Sequence, residues 1–485
     1  MYSHDTDIAF NRFLNWLARA HPPKRTAVPA EEAKSSASLT FCLFLIYYFS
    51  LCDFLLKFLP LDLAIVLRYL PEAALYVFVL TLLLKQWRML SFPLFWPLCA
   101  CAISMAISVV LNSSSIFAFL QDYRLFFRFS AFAYIGWRTA VTPQSIVRFL
   151  RGFLGLTIIE LIVGGLELIG GEATQDFFSP VLGLISGAPA GAANQIFGEN
   201  GFIFGTLSDY NQFGNFMTTS CVLSLALYFI KGSRRYLWLT SFCVLAVLLS
   251  FSRHSLLLLV FALGCIFLLR SKRIRLGTLI QVFIGILVLL VALVTIGGHF
   301  DPAFEDRVAT IVTPEVLEGD PAANMRLYIT LILPPRFLKS YPFFGQGPIA
   351  PSDVVQFGET DTGMGPPLKA APELPGFVTY YLGDVVWVMI LGLYGCCGLT
   401  AFGYVLWSIA AAANKVRKQS LSAEATALAQ ACLATIVVFV LSGFFSEEMV
   451  ARDCIPVFWV LAGLVFSLAM KPSSKTQALS RIEAA

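Results

Sequence analysis

The chain has 485 residues, of which 58% are hydrophobic and only 13% are charged, and its mean hydropathy is +0.76. That charged fraction is about half the roughly 25% of a soluble globular domain. Apolar stretches of about 20 residues, long enough to cross a bilayer, recur along nearly the whole sequence. Composition therefore excludes a soluble protein with one anchor and predicts an all-α polytopic membrane protein. The net charge of +4 gives no reason to expect a nucleic-acid partner.

The first predicted element lies in the N-terminal tail, residues 1–38. Residues 8–20 carry aromatic and aliphatic side chains near one face and Asn and Arg near the other. That pattern is typical of a helix lying on a membrane surface, and a disordered tail is the alternative. Because the first long apolar run begins only near Leu39, we expect no cleavable signal peptide.

About twelve transmembrane helices are predicted after this tail, nine within residues 39–297 and three within residues 377–470. Hydropathy and length place them at residues 39–59, 61–84, 93–111, 116–136, 149–170, 211–230, 236–251, 255–269, 277–297, 378–408, 425–445 and 454–470. The seventh and eighth spans are short, so we expect two helices that meet near Arg253.

Two segments interrupt the apolar pattern. Residues 171–210 are rich in Gly and Ala, and we expect them on the outer side or dipping back into the membrane. Residues 298–376 form a large outer loop with a possible helix at 323–333, which the Pro334-Pro335 pair should end. We see no internal repeat of the kind common in secondary transporters.

The distribution of the 34 Lys and Arg residues predicts the orientation. Most lie in alternate connections and in both tails, including the C-terminal tail at residues 471–485. By the positive-inside rule both termini are cytoplasmic and the loop at 298–376 is on the outer face. All eleven Cys fall inside predicted spans and no CxxC spacing occurs, so we expect no disulfide framework, no metal and no cofactor.

Two arginines stand out on the predicted outer side. Arg253 belongs to S250-F-S-R-H-S between two apolar runs, and Arg326 belongs to the large loop. A guanidinium offers a planar fork of donors that matches phosphate oxygens, so two of them suit a diphosphate. The alternative is that Arg253 snorkels to the interface and Arg326 pairs with a nearby acid, Glu318 or Asp320.

Charges inside the first four spans allow more than one interpretation. Arg124 and Arg128 are four residues apart, hence on one helix face, and could add positive potential to the same pocket. Equally, Asp122 or another carboxylate could neutralise them. A structural charge network is the favoured interpretation for Asp53, Lys57, Arg68 and Glu72.

Asp384 follows the large loop, at the start of the tenth predicted span. A carboxylate at that place could accept a proton from an attacking sugar hydroxyl. Pairing with Arg326 is the alternative role.

Four features in chain order make the sequence resemble the bacterial O-antigen ligase and polymerase superfamily. They are G205-T-L-S-D-Y-N-Q-F-G214, S250-F-S-R253, the long loop with Arg326 and the run P-F-F-G-Q-G from Pro342 to Gly347, and a span with Asp384 and G395-C-C-G398. The resemblance covers roughly residues 200–400.

This resemblance implies a C-type glycosyltransferase fold and an undecaprenyl-diphosphate-linked oligosaccharide as substrate, with Arg253 and Arg326 holding the diphosphate. We also expect His254 and Asn211 among the substrate-binding residues, together with the Arg124 and Arg128 pair. The implied location is the bacterial inner membrane, with the active site facing the periplasm and polysaccharide export or chain-length proteins as possible partners.

One departure from the family pattern guides the choice within it. The ligases carry a functional histidine after the long loop, and residues 375–384 contain none. We therefore favour a polymerase of O-antigen or exopolysaccharide with Asp384 as the base. A ligase to lipid A core or a protein glycosyltransferase of the same superfamily remains the first alternative. A secondary transporter or lipid-linked glycan flippase is the second, and a non-catalytic scaffold is the third.

Overall fold

A computed structural model describes most of the helical part of the chain. The described residues are 30–85, 89–139, 141–178, 203–207, 210–250, 252–270, 330–331, 333–348, 385–419, 421–444 and 454–470. Within these ranges the chain is α-helical apart from short turns and one 3-10 turn, Met89–Ser91, which confirms the predicted all-α class.

The described residues form thirteen labelled α-helices. In chain order they are α1 (Ala30–Leu56), α2 (Leu61–Lys85), α3 (Phe95–Leu111), α4 (Ile116–Phe127), α5 (Ser130–Arg138), α6 (Pro143–Phe178), α7 (Tyr210–Lys231), α8 (Arg234–Leu249), α9 (Arg253–Arg270), α10 (Leu333–Ser340), α11 (Val386–Gln419), α12 (Ala423–Ser442) and α13 (Ile455–Ala469).

Six of these helices, α1, α2, α6, α7, α11 and α12, are long and apolar enough to cross a membrane, and α3, α9 and α13 are shorter apolar helices. Large apolar side chains are exposed on the outside of the bundle, for example Ile169 (86%), Leu84 (78%) and Trp407 (71%). Such a surface is stable in lipid and would be costly in water. The chain is therefore a polytopic membrane protein.

Helix α7 lies at the centre of the part of the bundle that the structure describes. Every residue from Phe213 to Leu227 is buried, and α7 packs against α6, α8, α9 and α12. A helix that is buried on all sides needs an apolar or internally bonded surface all round. Its polar residues therefore bond to partners inside the protein. Those in its first turns belong to the site described below.

One boundary differs from the expected one. The predicted span 116–136 is wrong as one helix, because α4 ends at Phe127 and α5 begins at Ser130. A hydropathy window reads a continuous apolar run across this bend and cannot detect the turn. In the large loop, Pro334 and Pro335 lie in the first turn of α10, where the missing N–H groups cost nothing. The helix expected at 323–333, which this pair was predicted to end, lies almost wholly outside the described residues, so that ending stays a prediction.

The predicted span 149–170 ends at what the structure shows to be a kink, at Gly171, within a longer helix. Helix α6 continues to Phe178 and bends at Gly171, whose backbone has φ 61° and ψ −151°. The predicted meeting of two short helices near Arg253 is confirmed, since α8 ends at Leu249 and α9 begins at Arg253. Several predictions lie outside the described residues: the surface helix at 8–20, the span at 277–297, most of the loop at 298–376 and the tail at 471–485.

Candidate functional site

The S250-F-S-R-H-S motif lies where two helices begin side by side. Ser252 precedes α9, and its carbonyl accepts a hydrogen bond from Leu256 N–H at 3.1 Å. Its hydroxyl oxygen accepts from Ser255 N–H at 3.3 Å, as expected of a serine that caps a helix N-terminus. The first turn of α7 lies against this cap, so the positive ends of two helix dipoles come together.

Side chains from both helices form a hydrogen-bonded group that we call the polar cluster. Its members are Asn211 and Asn215 of α7, Ser252 at the cap of α9, and His254 and Ser255 of α9. Ser252 and Ser255 are buried at 2% and 0% exposure. Polar groups in this setting need partners, because each unpaired buried group costs about 1–3 kcal/mol.

The bonds of the polar cluster run from one helix to the other and back. The Ser252 hydroxyl donates to Asn211 Oδ1 at 3.0 Å and lies 2.7 Å from Ser255 Oγ. The Ser255 hydroxyl reaches Asn215 Oδ1 at 3.0 Å. His254 joins the two sides, with Nδ1 3.1 Å from Ser252 Oγ and Nε2 3.2 Å from Asn215 Nδ2.

These contacts assign the tautomer of His254. The amide nitrogen of Asn215 can only donate, so His254 Nε2 accepts and Nδ1 carries the proton that points to Ser252 Oγ. The imidazole is then neutral and fixed at both ring nitrogens.

The close approach of the two helices depends on Gly214. A Cβ atom at this position would lie 2.6 Å from Ser255 Cβ and 3.0 Å from Ser250 Oγ. Any larger residue would push α9 away from α7 and separate the members of the polar cluster. This explains why G205-T-L-S-D-Y-N-Q-F-G214 ends on a glycine shortly after the cluster's first asparagine.

Two buried carboxylates of α6 accept hydrogen bonds from the start of the G205-T-L-S-D-Y-N-Q-F-G214 motif and from the residue before it. Glu167 Oε2 accepts from the N–H groups of Phe204 and Gly205 at 2.9 and 3.0 Å. Glu160 accepts from Thr206 N–H at 2.9 Å and from the Thr206 hydroxyl at 2.6 Å. Both glutamates are 0% exposed. They fix the short segment at 203–207, just before α7.

Our sequence analysis missed Glu160 and Glu167. Their spacing was the available signal, because acids seven residues apart lie on one face of a helix and a carboxylate in a membrane span needs a partner. Asn215, Ser252 and Ser255 were also not singled out. Their partners on the other helix are 39 to 41 residues away in sequence, so no local pattern connects them.

The two later motifs of the resemblance contact each other through their backbones. Helix α11 bends at Gly395, with φ 65° and ψ −166°, and the segment 342–347 fills the break. Gln346 and Gly347 N–H donate to the carbonyls of Gly392 and Leu393 at 2.9 and 3.0 Å. In return, the N–H groups of the two cysteines at 396 and 397 donate to the carbonyls at 342 and 343, each at 3.0 Å. We call residues 342–347 and 392–397 the interlock.

The interlock has almost no free space. A Cβ atom at Gly395 would lie 2.5 Å from Phe344 N and closer still to the Phe343 carbonyl. Helix α3 supports it from the side, where the Ser108 hydroxyl donates to Leu393 O at 2.9 Å and Asn112 Nδ2 donates to Gly345 O at 3.1 Å. Irregular backbone at membrane depth is stable only when its polar groups are paired in this way.

Asp122 also reaches this region, because it accepts a hydrogen bond from the buried hydroxyl of Tyr394. Asp122 therefore holds α4 against α11. Its neighbour Arg124 is bound by Glu72 of α2 through two bonds, Nε to Oε1 at 2.6 Å and the second guanidinium nitrogen to Oε2 at 2.7 Å. For Arg124 the structure thus favours neutralisation by a carboxylate, and its predicted role in substrate binding stays a prediction.

Arg128 lies at the bend between α4 and α5. It is 8% exposed, and its guanidinium carbon lies 4.6 Å from the centre of the Phe129 ring. The predicted structural network of the first two spans is present in the Arg68–Asp53 pair, whose Nε and Oδ1 are 3.2 Å apart. Lys57 contacts the carbonyls of Asp176 and Phe177 at the end of α6.

The structure brings two of the predicted site residues, Asn211 and His254, into the polar cluster. It gives Arg253 as the first residue of α9, and the side chain of Arg253 is outside the described part. Arg326 and Asp384 also lie outside the described residues. Whether these three groups converge therefore stays a prediction.

The comparison with protein families gives one match. Residues 236–370, a little over a quarter of the chain, match the model of the O-antigen ligase family. Arg253, His254 and Arg326 fall inside the matched residues, whereas Asn211 and Asp384 fall outside. A comparison with curated proteins found no match. The family match does not distinguish a ligase from a polymerase. It confirms the resemblance read from the sequence, since residues 236–370 are similar to the O-antigen ligase family.

Proposed function

We propose that this protein is a polysaccharide polymerase that transfers glycan from an undecaprenyl-diphosphate-linked donor to a sugar hydroxyl of a lipid-linked acceptor. The observation that carries the proposal is the polar cluster, a hydrogen-bonded group of side chains where two helix N-termini meet inside an apolar bundle. Polar groups at such a place in a membrane protein are a functional site by default. The family match at residues 236–370 supports transfer of glycan as the chemistry.

A diphosphate suits this place for two physical reasons. Helix N-termini present unpaired N–H groups and a positive dipole end, and both attract anions. Arg253 stands in the first turn of α9, where its permanent charge adds to those dipoles. In the proposal Arg326 approaches from the large loop and binds the same diphosphate.

The proposed reaction is a single displacement. The acceptor hydroxyl oxygen attacks the anomeric carbon of the donor sugar, the bond from that carbon to the diphosphate oxygen breaks, and undecaprenyl diphosphate leaves with the electron pair. The hydroxyl proton passes to the carboxylate of Asp384. Arg253 and Arg326 stabilise the negative charge that grows on the leaving diphosphate, so no metal is required. The displacement inverts the anomeric configuration.

Within the superfamily, the missing histidine at residues 375–384 supports polymerase over ligase. We further propose that the protein acts at the periplasmic face of the bacterial inner membrane with both termini in the cytoplasm. This orientation brings the polar cluster to the side of the membrane where the large loop lies.

The test is product length on gels, with purified protein, lipid diphosphate-linked repeat units and no added divalent metal. Wild type should build a ladder and release undecaprenyl diphosphate, whereas Arg253→Ala and Arg326→Ala should each lose at least about a hundredfold in rate, because each removes a charged partner of the leaving group. Lys339→Ala removes an exposed charge from the same loop and should retain the ladder.

Other outcomes would identify the alternatives. If glycan is transferred only when lipid A core or a protein acceptor is present, the enzyme is a ligase or a protein glycosyltransferase. If no transfer occurs and labelled lipid crosses a vesicle membrane, the protein is a transporter and the proposal is wrong.

A further inference from the structure

A second group of charged side chains lies at the opposite end of α8 from the polar cluster. Helix α8 begins at Arg234 and ends at Leu249, so its length separates the two places by about 24 Å. Arg234 and Arg235 stand in its first turn, and Arg151 of α6 reaches the same turn. All three arginines are exposed. We call Arg151 and Arg235 the arginine pair.

The arginine pair converges on one oxygen atom. Tyr236 is 6% exposed, and its hydroxyl accepts hydrogen bonds from Arg151 Nε at 2.8 Å and from a terminal nitrogen of Arg235 at 3.2 Å. The two donor nitrogens are therefore no farther apart than these two bonds laid end to end. The Arg235 guanidinium also lies over the Tyr236 ring, with its carbon 4.9 Å from the ring centre. Two positive charges from two helices are thus held side by side.

No carboxylate of the described residues forms an ion pair with Arg151 or Arg235. Arg68 and Arg124 differ in this respect, because Asp53 and Glu72 neutralise them. Like charges held together repel, so the arginine pair favours an anion from outside the chain. Each guanidinium has five N–H donors, and Tyr236 accepts one from each, which leaves both with donors for such an anion.

The position of Trp238 relates the arginine pair to the lipid headgroups. Trp238 follows Arg235 by three residues, a rise of about 4.5 Å along α8, and it is 66% exposed. Tryptophan is enriched at the boundary between headgroups and hydrocarbon. Leu237, between the two, is 42% exposed and also faces outward. An anion bound by the arginine pair therefore lies at the level of the headgroups of the surrounding bilayer.

We propose that the arginine pair binds the phosphate of an anionic glycerophospholipid of the phosphatidylglycerol type. A guanidinium presents a planar fork of donors that matches phosphate oxygens. The positive-inside rule predicts that this end of the bundle is cytoplasmic, and basic pockets between helices on that side suit anionic headgroups. Phosphatidylethanolamine is the weaker ligand, because its ammonium group cancels the charge of its phosphate. This site goes beyond the proposed function and does not depend on it.

Arg234 provides a matched control. It carries the same charge as Arg235 in the same turn of α8 and is also exposed, but in the described part of the chain only Arg235 of the two bonds to Tyr236. Diffuse attraction to an anionic surface should depend equally on both arginines, whereas a site built by the arginine pair should depend on Arg235. Salt of about 0.3 M sharpens this distinction, since it screens charges that are not in contact.

The experiment is native mass spectrometry of the full chain in dodecyl maltoside and about 0.3 M ammonium acetate. Dioleoyl phosphatidylglycerol or dioleoyl phosphatidylethanolamine is added, and the dissociation constant of the first bound lipid is measured. Wild type should bind phosphatidylglycerol at least about tenfold more tightly, because charge-assisted hydrogen bonds favour the net anion. Arg151→Gln and Arg235→Gln should each remove most of this preference, and Arg234→Gln should keep it. If a Gln variant unfolds early, Arg235→Lys keeps the charge without the fork and should lower the preference at least about threefold.

Three results would overturn the inference. The first is equal affinity for the two lipids. The second is an equal loss in Arg234→Gln and Arg235→Gln, which would mean that diffuse charge alone attracts lipid. The third is inorganic phosphate that displaces phosphatidylglycerol at an equal concentration, which would make this a site for a soluble anion. Because no glycan is present, a protein that builds no ladder can still bind lipid as expected, so the two proposals fail separately.

Discussion

The polar cluster and the interlock both interrupt apolar helical sequence, and they pair the exposed backbone in different ways. At the polar cluster, the break between α8 and α9 is stabilised by side chains of Asn, Ser and His from two helices. At the interlock, the break in α11 is stabilised by the backbone of an earlier segment of the chain, and glycines allow the contact. The first break is therefore paired by side chains, whereas the second is paired by backbone.

This difference suggests two roles for motifs that look alike in the sequence: a structural role for the interlock and a role in transfer for the polar cluster. Substitutions at the interlock should affect folding before they affect chemistry, since its function is to join the large loop to α11. Substitutions in the polar cluster should reduce transfer more than they reduce stability. The following experiments test that separation.

The largest loss of stability is expected for Gly395→Ala in the interlock. With φ 65° and ψ −166°, Gly395 has a conformation that is essentially restricted to glycine, and a Cβ atom would collide with the 343–344 peptide. Strain and overpacking together should cost about 2–6 kcal/mol, measured as a lower midpoint of thermal unfolding in detergent. Gly403→Ala, on the same helix with nothing within 4 Å, should unfold at or slightly above the wild-type midpoint. Equal unfolding midpoints for Gly395→Ala and Gly403→Ala would contradict the structural role of the interlock.

A smaller loss is expected for Glu167→Ala beside the polar cluster. The change leaves the N–H groups of Phe204 and Gly205 without their acceptor, which should cost about 1–3 kcal/mol if water enters the space. Glu167→Gln keeps one oxygen for both donors and should lose less. The same unfolding assay compares them, and a Gln variant as unstable as the Ala variant would contradict a role based on hydrogen bonding.

The smallest loss of stability is expected for Ser252→Ala in the polar cluster. Removing the cap of α9 should cost about 1 kcal/mol, and the released polar atoms of Asn211 and His254 should add little because both side chains are half-buried and can bond to water instead. Transfer of glycan should nevertheless fall at least about tenfold, because the change also releases His254 and Asn211 next to Arg253. Ser422→Ala removes an equivalent cap, that of α12, where Ser422 Oγ accepts from Ala425 N–H at 3.1 Å. If Ser252→Ala and Ser422→Ala lose the same transfer activity, Ser252 acts only as a helix cap.

Much of the helical architecture could be read from local pattern. Apolar runs of bilayer length predicted the long helices, and the short runs around Arg253 predicted the break between α8 and α9. The single predicted helix at 116–136 was wrong, because a turn at Arg128 and Phe129 separates α4 from α5 without a change in hydropathy. Local hydropathy reports burial in lipid and carries no information about bends.

The candidate site was less accessible to sequence reasoning. Asn211 and His254 were identified from short motifs, but the contacts that join them to Ser252 and Asn215 connect helices about 40 residues apart. Glu160 and Glu167 were overlooked because most of their partners are backbone N–H groups, which cannot be recognised from residue type.

What the sequence by itself determined is the class of the protein: a helical membrane protein whose motif order resembles the O-antigen ligase and polymerase superfamily. Composition and motif order are enough for that conclusion, because the cost of burying charge in lipid limits where charged residues can lie. Only the tertiary structure decided that Gly214 brings α7 against α9, that Glu72 binds Arg124, and that the segment from Pro342 to Gly347 fills the break at Gly395. These contacts depend on close packing between segments that are distant in sequence, and packing is a property of the folded chain.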